Sequence, residues 1–461
     1  MRSINKVVIV GWAALAVLLV ALVVYQVLAT SFQAAPVSIA PVLAHQAEYT
    51  AETEPVPGES TGRLAYIGAD GNVYVTTADR ASITAVTNDA TTVPEGMGLS
   101  YHRISWSRDG RLAFAAVIRQ AGDRTGSKIY VAEVPGASAQ VVAQSDKHFV
   151  IYIYWSPVPC PDQPACRNLA YLIEAADSLG LHLVAVDNDR IQNRRVGLGH
   201  PFYFSWSPDG RQIVWHTGGA RRFNREAQLA VYQVDRKRTQ IWPEAPGLFL
   251  APAWSPRGDR WLGVTADDTV DQLQSFPAAG LAVGGTDPPV TLSAATNSQA
   301  VFAWSPDGQQ VAYARRANGN DPFYGPVHVV DLKTGQSRRI TDVGFRILGF
   351  FWSPDGQRLG YLIRQALPDS AWMQWRVYDL ARAKDRGFKA FNPSSQMRSV
   401  IGSFNQYAQS HRFWSPDGRY LVYAERTPNL IERVWLIDTR SEDGGKASLI
   451  DEGTIGFWSW N

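Results

Sequence analysis

Short apolar runs separated by tight polar turns recur along most of this 461-residue chain. One unit has apolar runs at 301–304 and 311–314, joined by Ser-Pro-Asp-Gly at 305–308. Proline presets φ in such a turn and glycine accepts the left-handed conformation, so the pattern predicts a β-hairpin. A second hairpin pattern follows over residues 327–340. Each unit is therefore expected to form four short antiparallel strands.

A tryptophan precedes the turn in every unit. Trp-Ser-Pro-Asp-Gly or a close variant begins at seven tryptophans, and Trp-Ser occurs once more near the end of the sequence. The eight tryptophans are Trp106, Trp155, Trp206, Trp254, Trp304, Trp352, Trp414 and Trp458. Four strands in a repeat of about 50 residues are typical of one blade of a β-propeller.

The two ends of the repeat region complement each other. Residues 62–76 predict the second and third strands of a blade that has no tryptophan strand before them, and residues 454–460 supply a tryptophan strand with nothing after it. Pairing these strands would remove two open sheet edges. We therefore expect an all-β fold, an eight-bladed β-propeller over residues 62–461 that is closed by pairing of its N- and C-terminal strands.

An apolar segment at residues 7–28 precedes the repeats and is long enough to span a bilayer. It exceeds the apolar region of a cleaved signal peptide, which remains the alternative. Because Arg2 and Lys6 precede it and the next basic residue is Arg63, residues 1–6 are expected in the cytoplasm and the propeller outside, in the periplasm or at the cell surface. Residues 29–61, rich in Pro, Ala and Glu, predict a stalk. We thus expect a single-pass membrane protein with an N-terminal signal anchor.

Composition and motifs give little sign of catalysis. A net charge of +2 gives no reason to expect a nucleic-acid partner. The one Gly-x-Ser-x-Gly match, around Ser60, lies in the stalk rather than between a strand and a helix. Asp267, Asp268 and Asp271 could bind calcium or simply be solvated. We expect a protein that is not an enzyme and has neither a cofactor nor a metal.

The only two cysteines, Cys160 and Cys166, lie in the loop that replaces the usual turn after Trp155. A disulfide is permitted outside the cytoplasm, and two cysteines without nearby histidines make a poor zinc site. We expect a local disulfide.

Histidines are concentrated just before the blade tryptophans. Four of the eight, His102, His148, His200 and His411, lie within seven residues of the next tryptophan. The segment that enters the innermost strand borders the mouth of a propeller channel. With Arg103 and Arg346 beside them, these histidines are candidates for a ligand-binding site at that mouth. The alternative is that they are partly buried residues at the ends of strands.

Loop lengths distinguish the two faces of the ring. The turns within hairpins are tight, and their side is called the tight-turn face. The longer connections at 120–127, 218–226, 316–326 and 392–409 share the other side, the long-loop face. Because function is concentrated on loops that a rigid scaffold positions, the long-loop face is the expected binding surface.

The repeated Trp-Ser-Pro-Asp-Gly strands across residues 62–461 resemble the propeller repeats of the TolB family and of the N-terminal domain of dipeptidyl-peptidase IV-like proteins. For TolB the resemblance implies a periplasmic protein-binding module, although TolB has six blades and a small α/β domain. The dipeptidyl-peptidase IV family is similar in having a signal anchor and eight blades. Its hydrolase domain follows the propeller, whereas this sequence ends at Asn461.

The expected function is accordingly that of a membrane-anchored binding or scaffold module for a protein, peptide or envelope ligand, with a protein or peptide partner on the long-loop face. The alternative is a propeller enzyme or accessory propeller that acts on carbohydrate or peptide substrates in the central channel.

Overall fold

The computed structural model describes residues 62–91, 98–120, 124–133, 138–161, 163–187, 191–267, 269–278, 288–316, 321–365, 371–441 and 445–461. The predicted transmembrane segment at 7–28 and the stalk at 29–61 lie outside these residues. In the part of the chain that is described, no helix is both long and apolar enough to cross a membrane.

The described residues form thirty strands and two short helices. The first fifteen strands are β1 (Leu64–Gly68), β2 (Val73–Thr76), β3 (Ile83–Ala85), β4 (Gly98–Trp106), β5 (Arg111–Gln120), β6 (Arg124–Glu133), β7 (Gln140–Ser145), β8 (Val150–Cys160), β9 (Gln163–Ala175), β10 (Ser178–Val186), β11 (Ile191–Gly199), β12 (Phe202–Trp206), β13 (Gln212–Thr217), β14 (Gln228–Gln233) and β15 (Arg238–Ile241). The others are β16 (Ala253–Trp254), β17 (Arg260–Ala266), β18 (Val270–Pro277), β19 (Val290–Thr296), β20 (Ala300–Trp304), β21 (Gln310–Arg315), β22 (His328–Asp331), β23 (Ser337–Arg339), β24 (Arg346–Trp352), β25 (Arg358–Arg364), β26 (Met373–Asp379), β27 (Lys384–Phe391), β28 (Tyr420–Arg426), β29 (Glu432–Asp438) and β30 (Ala447–Trp458). Helices α1 (Ser395–Gly402) and α2 (Phe404–Ser410) lie between β27 and β28.

The strands form a ring of antiparallel sheets, as a propeller requires. Six sheets contain four consecutive strands each: β4–β7, β8–β11, β12–β15, β16–β19, β20–β23 and β24–β27. The seventh has six strands in the order β28-β29-β30-β1-β2-β3. The first strands of successive sheets contact one another, as β12, β16, β20 and β24 do, and so surround a central channel. Middle strands such as β25 are buried on both faces because neighbouring sheets pack against each side.

The expectation of eight blades is wrong, because the strands form seven sheets. The sequence pattern counts two separate blades here, the unit that begins at Trp414 and the unit formed by residues 62–76 with 454–460. In the structure these two units share β30. The first half of this 12-residue strand pairs with β29, and its second half pairs with β1, as in Trp458 with Leu64. No turn interrupts β30, and register shifts in both pairings allow one strand to serve both partners. The terminal strands therefore do pair, but inside one continuous sheet.

The tight turns have a shared set of hydrogen bonds that explains their composition. In the turn after Trp304, the hydroxyl of Ser305 donates to Asp307 Oδ1 at 2.5 Å and accepts the backbone N–H of Gln310 at 2.9 Å. Gly308 has a φ of +68°, in the region that favours glycine. Serine, aspartate and glycine are thus each required by the geometry of the turn.

The tryptophans join six of the seven sheets each to the one before it. Six indole N–H groups donate to a main-chain carbonyl of the preceding sheet at 2.9 to 3.3 Å, five of them to its first strand and that of Trp106 to β30. The pairs are Trp106 with Phe457, Trp155 with Ser105, Trp206 with Tyr154, Trp304 with Ala253, Trp352 with Ala303, and Trp414 with Phe351. Trp254 occupies the same place in its repeat, but its Nε1 is buried without a hydrogen-bond partner.

Trp254 therefore provides a matched control for the contribution of this hydrogen bond. Trp304 and Trp254 are similarly buried, at 9% and 8% exposure, so replacement by phenylalanine removes a similar amount of packing from each. Only Trp304→Phe also removes a hydrogen bond, to the Ala253 carbonyl. We expect Trp304→Phe to lower the free energy of unfolding by about 1 kcal/mol more than Trp254→Phe, as measured by urea unfolding. Equal losses in the two variants would contradict this role.

Candidate functional site in the central channel

Two helices occupy the channel from the side of the long-loop face. They are formed by the longest connection, which the sequence presented as a loop. Ser394 caps α1 by accepting the N–H of Met397 at 3.0 Å. Helix α2 contacts β12, β20 and β24, and α1 contacts β24, β28 and β30. Phe404 packs so closely on Gly349 of β24 that a Cβ there would lie 2.8 Å from the ring.

Polar side chains fix α2 to the channel wall. The Gln406 amide accepts the N–H of Phe204 at 2.9 Å and donates to the carbonyl of the same residue at 2.7 Å, so it pairs with β12 as a neighbouring strand would. Tyr152 donates its hydroxyl proton to Ser410 at 2.5 Å. Tyr154 donates to the Gln409 carbonyl at 3.1 Å. These contacts satisfy buried polar groups and hold α2 in one position.

Two of the predicted histidines are buried, His411 against α2 and His102 between β4 and β8. His411 follows α2, and its ring nitrogens contact Ser410 Oγ at 2.6 Å and the Ile104 carbonyl at 2.8 Å. His102, in β4, contacts the Val150 carbonyl through Nε2 at 2.9 Å. Burial is the main cause that lowers the pKa of both rings to about 3, so both are neutral at neutral pH.

The other predicted ligand residues lie elsewhere. Arg103 donates from Nε to the Ile151 carbonyl at 2.7 Å and from Nη1 to Gln396 at 3.3 Å, which joins β4 to β8 and α1. His148 lies in the turn before β8, His200 is exposed, and Arg346 is exposed beside the ring of Phe323. The structure thus brings Arg103 and the two buried histidines to the channel wall and leaves the remaining three apart.

The cysteine and aspartate candidates have structural partners. Cys160 and Cys166 form a disulfide between β8 and β9. Asp271 is wholly buried, binds Arg222 Nη2 at 2.6 Å and accepts the N–H of Leu248 at 2.8 Å. Asp268 lies outside the described residues. Within the described ranges, no group of three or more His, Cys, Asp or Glu side chains could hold a metal ion.

The channel remains open toward the tight-turn face, where it forms a cavity of about 210 Å³. Its walls are indole rings and the prolines of the turns, and α2 contributes at its inner end. The wall residues are Trp206, Trp254, Trp304, Trp352, Trp414, Pro157, Pro208, Pro256 and Pro306. Of the predicted ligand residues, His411 lines this cavity.

The charged side chains that line the cavity are Arg108 and Arg412. Both guanidinium groups lie against the indole ring of Trp460, with Cζ at 5.1 and 4.2 Å from its centre. Arg412 Nε is buried without a hydrogen-bond partner. Burial, helped by the nearby charge of Arg108, lowers the pKa of Arg412 to about 10, so it remains a cation at neutral pH. Aromatic rings and prolines therefore line much of the cavity, and a positive charge lies at one side of it.

The sequence prediction missed these two arginines, although a signal was present in the repeat. Arg108 occupies the turn position where most other units have proline. Arg412 stands two residues before its tryptophan, where the six preceding units have an apolar residue. Those residues are Ile104, Ile153, Phe204, Pro252, Phe302 and Phe350. A position-by-position comparison of the repeats would have identified both arginines.

Comparisons with known proteins agree with the fold. No family model and no curated protein matches this chain. Among solved structures, a prolyl endopeptidase is similar, with 13% identity and a TM-score of 0.51 over 77% of this chain and 50% of that protein. TolB from Acinetobacter baumannii has 13% identity and a TM-score of 0.38, over 76% of this chain and 83% of TolB. An oligogalacturonate lyase in complex with manganese has 13% identity and a TM-score of 0.45, over 87% of this chain and 98% of the lyase.

The chain spans about half the length of the prolyl endopeptidase that it matches. At 13% identity the likeness concerns the fold alone. The predicted propeller repeat is confirmed at the level of the fold. The described residues belong to the propeller sheets, their connections and the two helices, and no hydrolase domain is found among them.

The buried histidines should make stability depend on pH. The unfolded chain takes up these protons near the ordinary pKa of 6.5, whereas folded His102 and His411 take them up only near 3. The stabilising contribution is therefore full above pH 6.5 and is lost as the pH falls toward 3, by up to about 1.4 kcal/mol per pH unit for each histidine. We expect His411→Gln to lose less stability than wild type between about pH 7 and about pH 5 in urea unfolding.

His200→Gln is the control, because His200 is exposed and should leave the wild-type pH dependence unchanged. A His411→Gln variant that keeps the wild-type dependence would show that this ring is not neutral in the folded protein.

Proposed function

We propose that this TolB-like propeller is a binding module that takes a segment of a protein or peptide partner into the channel cavity from the tight-turn face. The observation that carries the proposal is a channel lined by indole rings and prolines and closed at its other end by α2. Concave sites with mostly apolar walls and a few polar groups are typical of ligand binding. The rigid hydrogen bonds of the indole rings support a preformed site, which lowers the entropic cost of binding.

The size of the cavity favours a segment of a larger partner. Its volume of about 210 Å³ is below the 300 to 1,000 Å³ that is typical of small-molecule pockets. A cavity of this size accommodates one or two side chains, while the rest of the ligand remains on the surrounding turns. This differs from the expected use of the long-loop face, because α1 and α2 occupy the channel on that side.

The chemistry of the lining favours binding over the alternative of catalysis in the channel. Among the residues that the structure describes, its ionisable side chains are Arg108, Arg412, Tyr154 and His411, and the lining includes no Asp or Glu. Both nitrogens of His411 are already in contact with Ser410 and Ile104. Paired carboxylates of the kind that glycosidases use are therefore not available in the lining.

We further propose that the module works in an oxidising compartment outside the cytoplasm. The disulfide between Cys160 and Cys166 supports this location, because such bonds persist mainly in extracytoplasmic proteins.

The binding proposal is tested by selecting peptides that bind the protein and measuring their affinity for a variant whose channel is blocked. A random peptide library would be selected on the full-length protein, and the affinities of the selected peptides would be measured on two variants by calorimetry. Ala408→Trp places a large ring in the cavity, since Ala408 lies in its lining. We expect this variant to bind at least about tenfold more weakly, a loss of about 1.4 kcal/mol.

Ala381→Trp is the matched control, because Ala381 is exposed in the turn between β26 and β27. It should leave the affinities unchanged, and circular dichroism would establish that both variants are folded. Peptides that bind Ala408→Trp as tightly as wild type would contradict a channel site.

A further inference from the structure

Arg412, which is partly buried, and Arg108, which is exposed, differ from three arginines of this propeller that pair with carboxylates. Arg376, Arg419 and Arg222 each lie within 2.8 Å of a carboxylate oxygen. Neither Arg108 nor Arg412 has an ion pair among the described residues. Arg412 Nε is also buried without a hydrogen-bond partner. A buried donor without a partner costs stability, and more so when it is charged.

The two cations share one aromatic contact and face the same cavity. Each lies within about 5 Å of the Trp460 ring, so their charges are close together. The contact with the indole face offsets part of the cost of burying Arg412, but it leaves the positive charge uncompensated. The depressed pKa of Arg412 has the same physical origin, namely burial and the like charge of Arg108. A negative group in the cavity would compensate the buried charge of Arg412 and reduce its repulsion by Arg108.

We infer that the channel cavity recognises an oxyanion, a carboxylate or a phosphate ester, carried by an apolar or aromatic group, with Arg412 as the principal contact and Arg108 beside it. This inference deepens the proposed function and rests on it. The planar guanidinium group matches the paired oxygens of such anions and forms strong, charge-assisted hydrogen bonds with them. The indole and proline walls suit the apolar part of the ligand.

The lining also argues against a ligand rich in hydroxyl groups. The Gln409 amide donates to the carbonyls of Pro252 and Asn405, and the ring nitrogens of His411 are engaged. These two polar side chains of the lining are therefore already engaged within the protein. A ligand with one anionic group at the arginines and an apolar part against the aromatic walls fits the cavity better than a ligand rich in hydroxyl groups.

Two probes that differ in one charge test the inference on the full-length protein. N-acetylphenylalanine carries a carboxylate, and N-acetylphenylalanine amide is its neutral counterpart. We expect calorimetry to show about tenfold tighter binding of the acid, the size of one charge-assisted hydrogen bond. Added salt should weaken binding of the acid but not binding of the amide, because salt screens the attraction between charges. Phenyl phosphate, titrated in parallel, shows which oxyanion binds more tightly.

Variants locate the charge that is responsible. Arg412→Gln should abolish the preference for the acid over the amide, whereas Arg412→Lys should keep part of the preference because it keeps the charge. Arg225→Gln removes an exposed arginine on a loop and should behave as wild type. Thermal unfolding would establish that each variant is folded.

The outcomes separate this inference from the proposed function. If acid and amide bind equally and Ala408→Trp abolishes both, the anion site is wrong and the channel site stands. If the preference for the acid survives in Arg412→Gln, the assignment to Arg412 is wrong. If neither anionic probe binds, the oxyanion inference is overturned, while the peptide selection decides the proposed function separately.

Discussion

The hydrogen bond from a tryptophan indole to the main chain of the preceding sheet is the interaction on which the rest of this propeller depends. It recurs at six of the repeat tryptophans and joins six of the seven sheets to the preceding sheet. A buried carbonyl at the edge of a first strand would otherwise lack a partner, so the bond removes a cost as well as providing a contact. Four of these six indole rings, those of Trp206, Trp304, Trp352 and Trp414, also line the cavity, so the interaction that holds the ring together also supplies part of its aromatic wall.

A ring of seven sheets leaves a central space that has to be filled, and α1 and α2 fill it from one side. The amide of Gln406 is the clearest sign of how closely they fit, since it bonds both the N–H and the carbonyl of Phe204. Its neighbour Tyr152 completes the set by bonding Ser410. These contacts determine the direction in which the channel is open, and they account for the burial of His411. Closing the long-loop side leaves the tight-turn side as the accessible end.

The sequence predicts the strands, turns and sheet ring well because these follow from local residue patterns that are repeated many times. The number of blades could not be obtained in the same way, because it depends on β30 continuing from one partner to another without a turn. The helices were also missed. The segment 392–409 is short and mixes polar with apolar residues, and it forms helices only where it packs against the channel wall. The arginine pair is a tertiary feature, because Arg108 and Arg412 meet only through Trp460 after the ring has closed. The sequence did, however, show that both arginines depart from the pattern of the repeat.

The position of the arginine pair connects ligand recognition to closure of the ring. Arg412 accepts the N–H of Trp458 at 2.9 Å through its carbonyl, and Trp458 ends the strand that pairs with β1. Trp460, two residues later, carries both guanidinium contacts and donates its indole N–H to the Trp106 carbonyl at 3.0 Å. The cavity is therefore built around the junction where the first and last strands meet. Any ligand that binds there binds only the closed ring, and by mass action it stabilises the closed ring over states in which the terminal strands have separated.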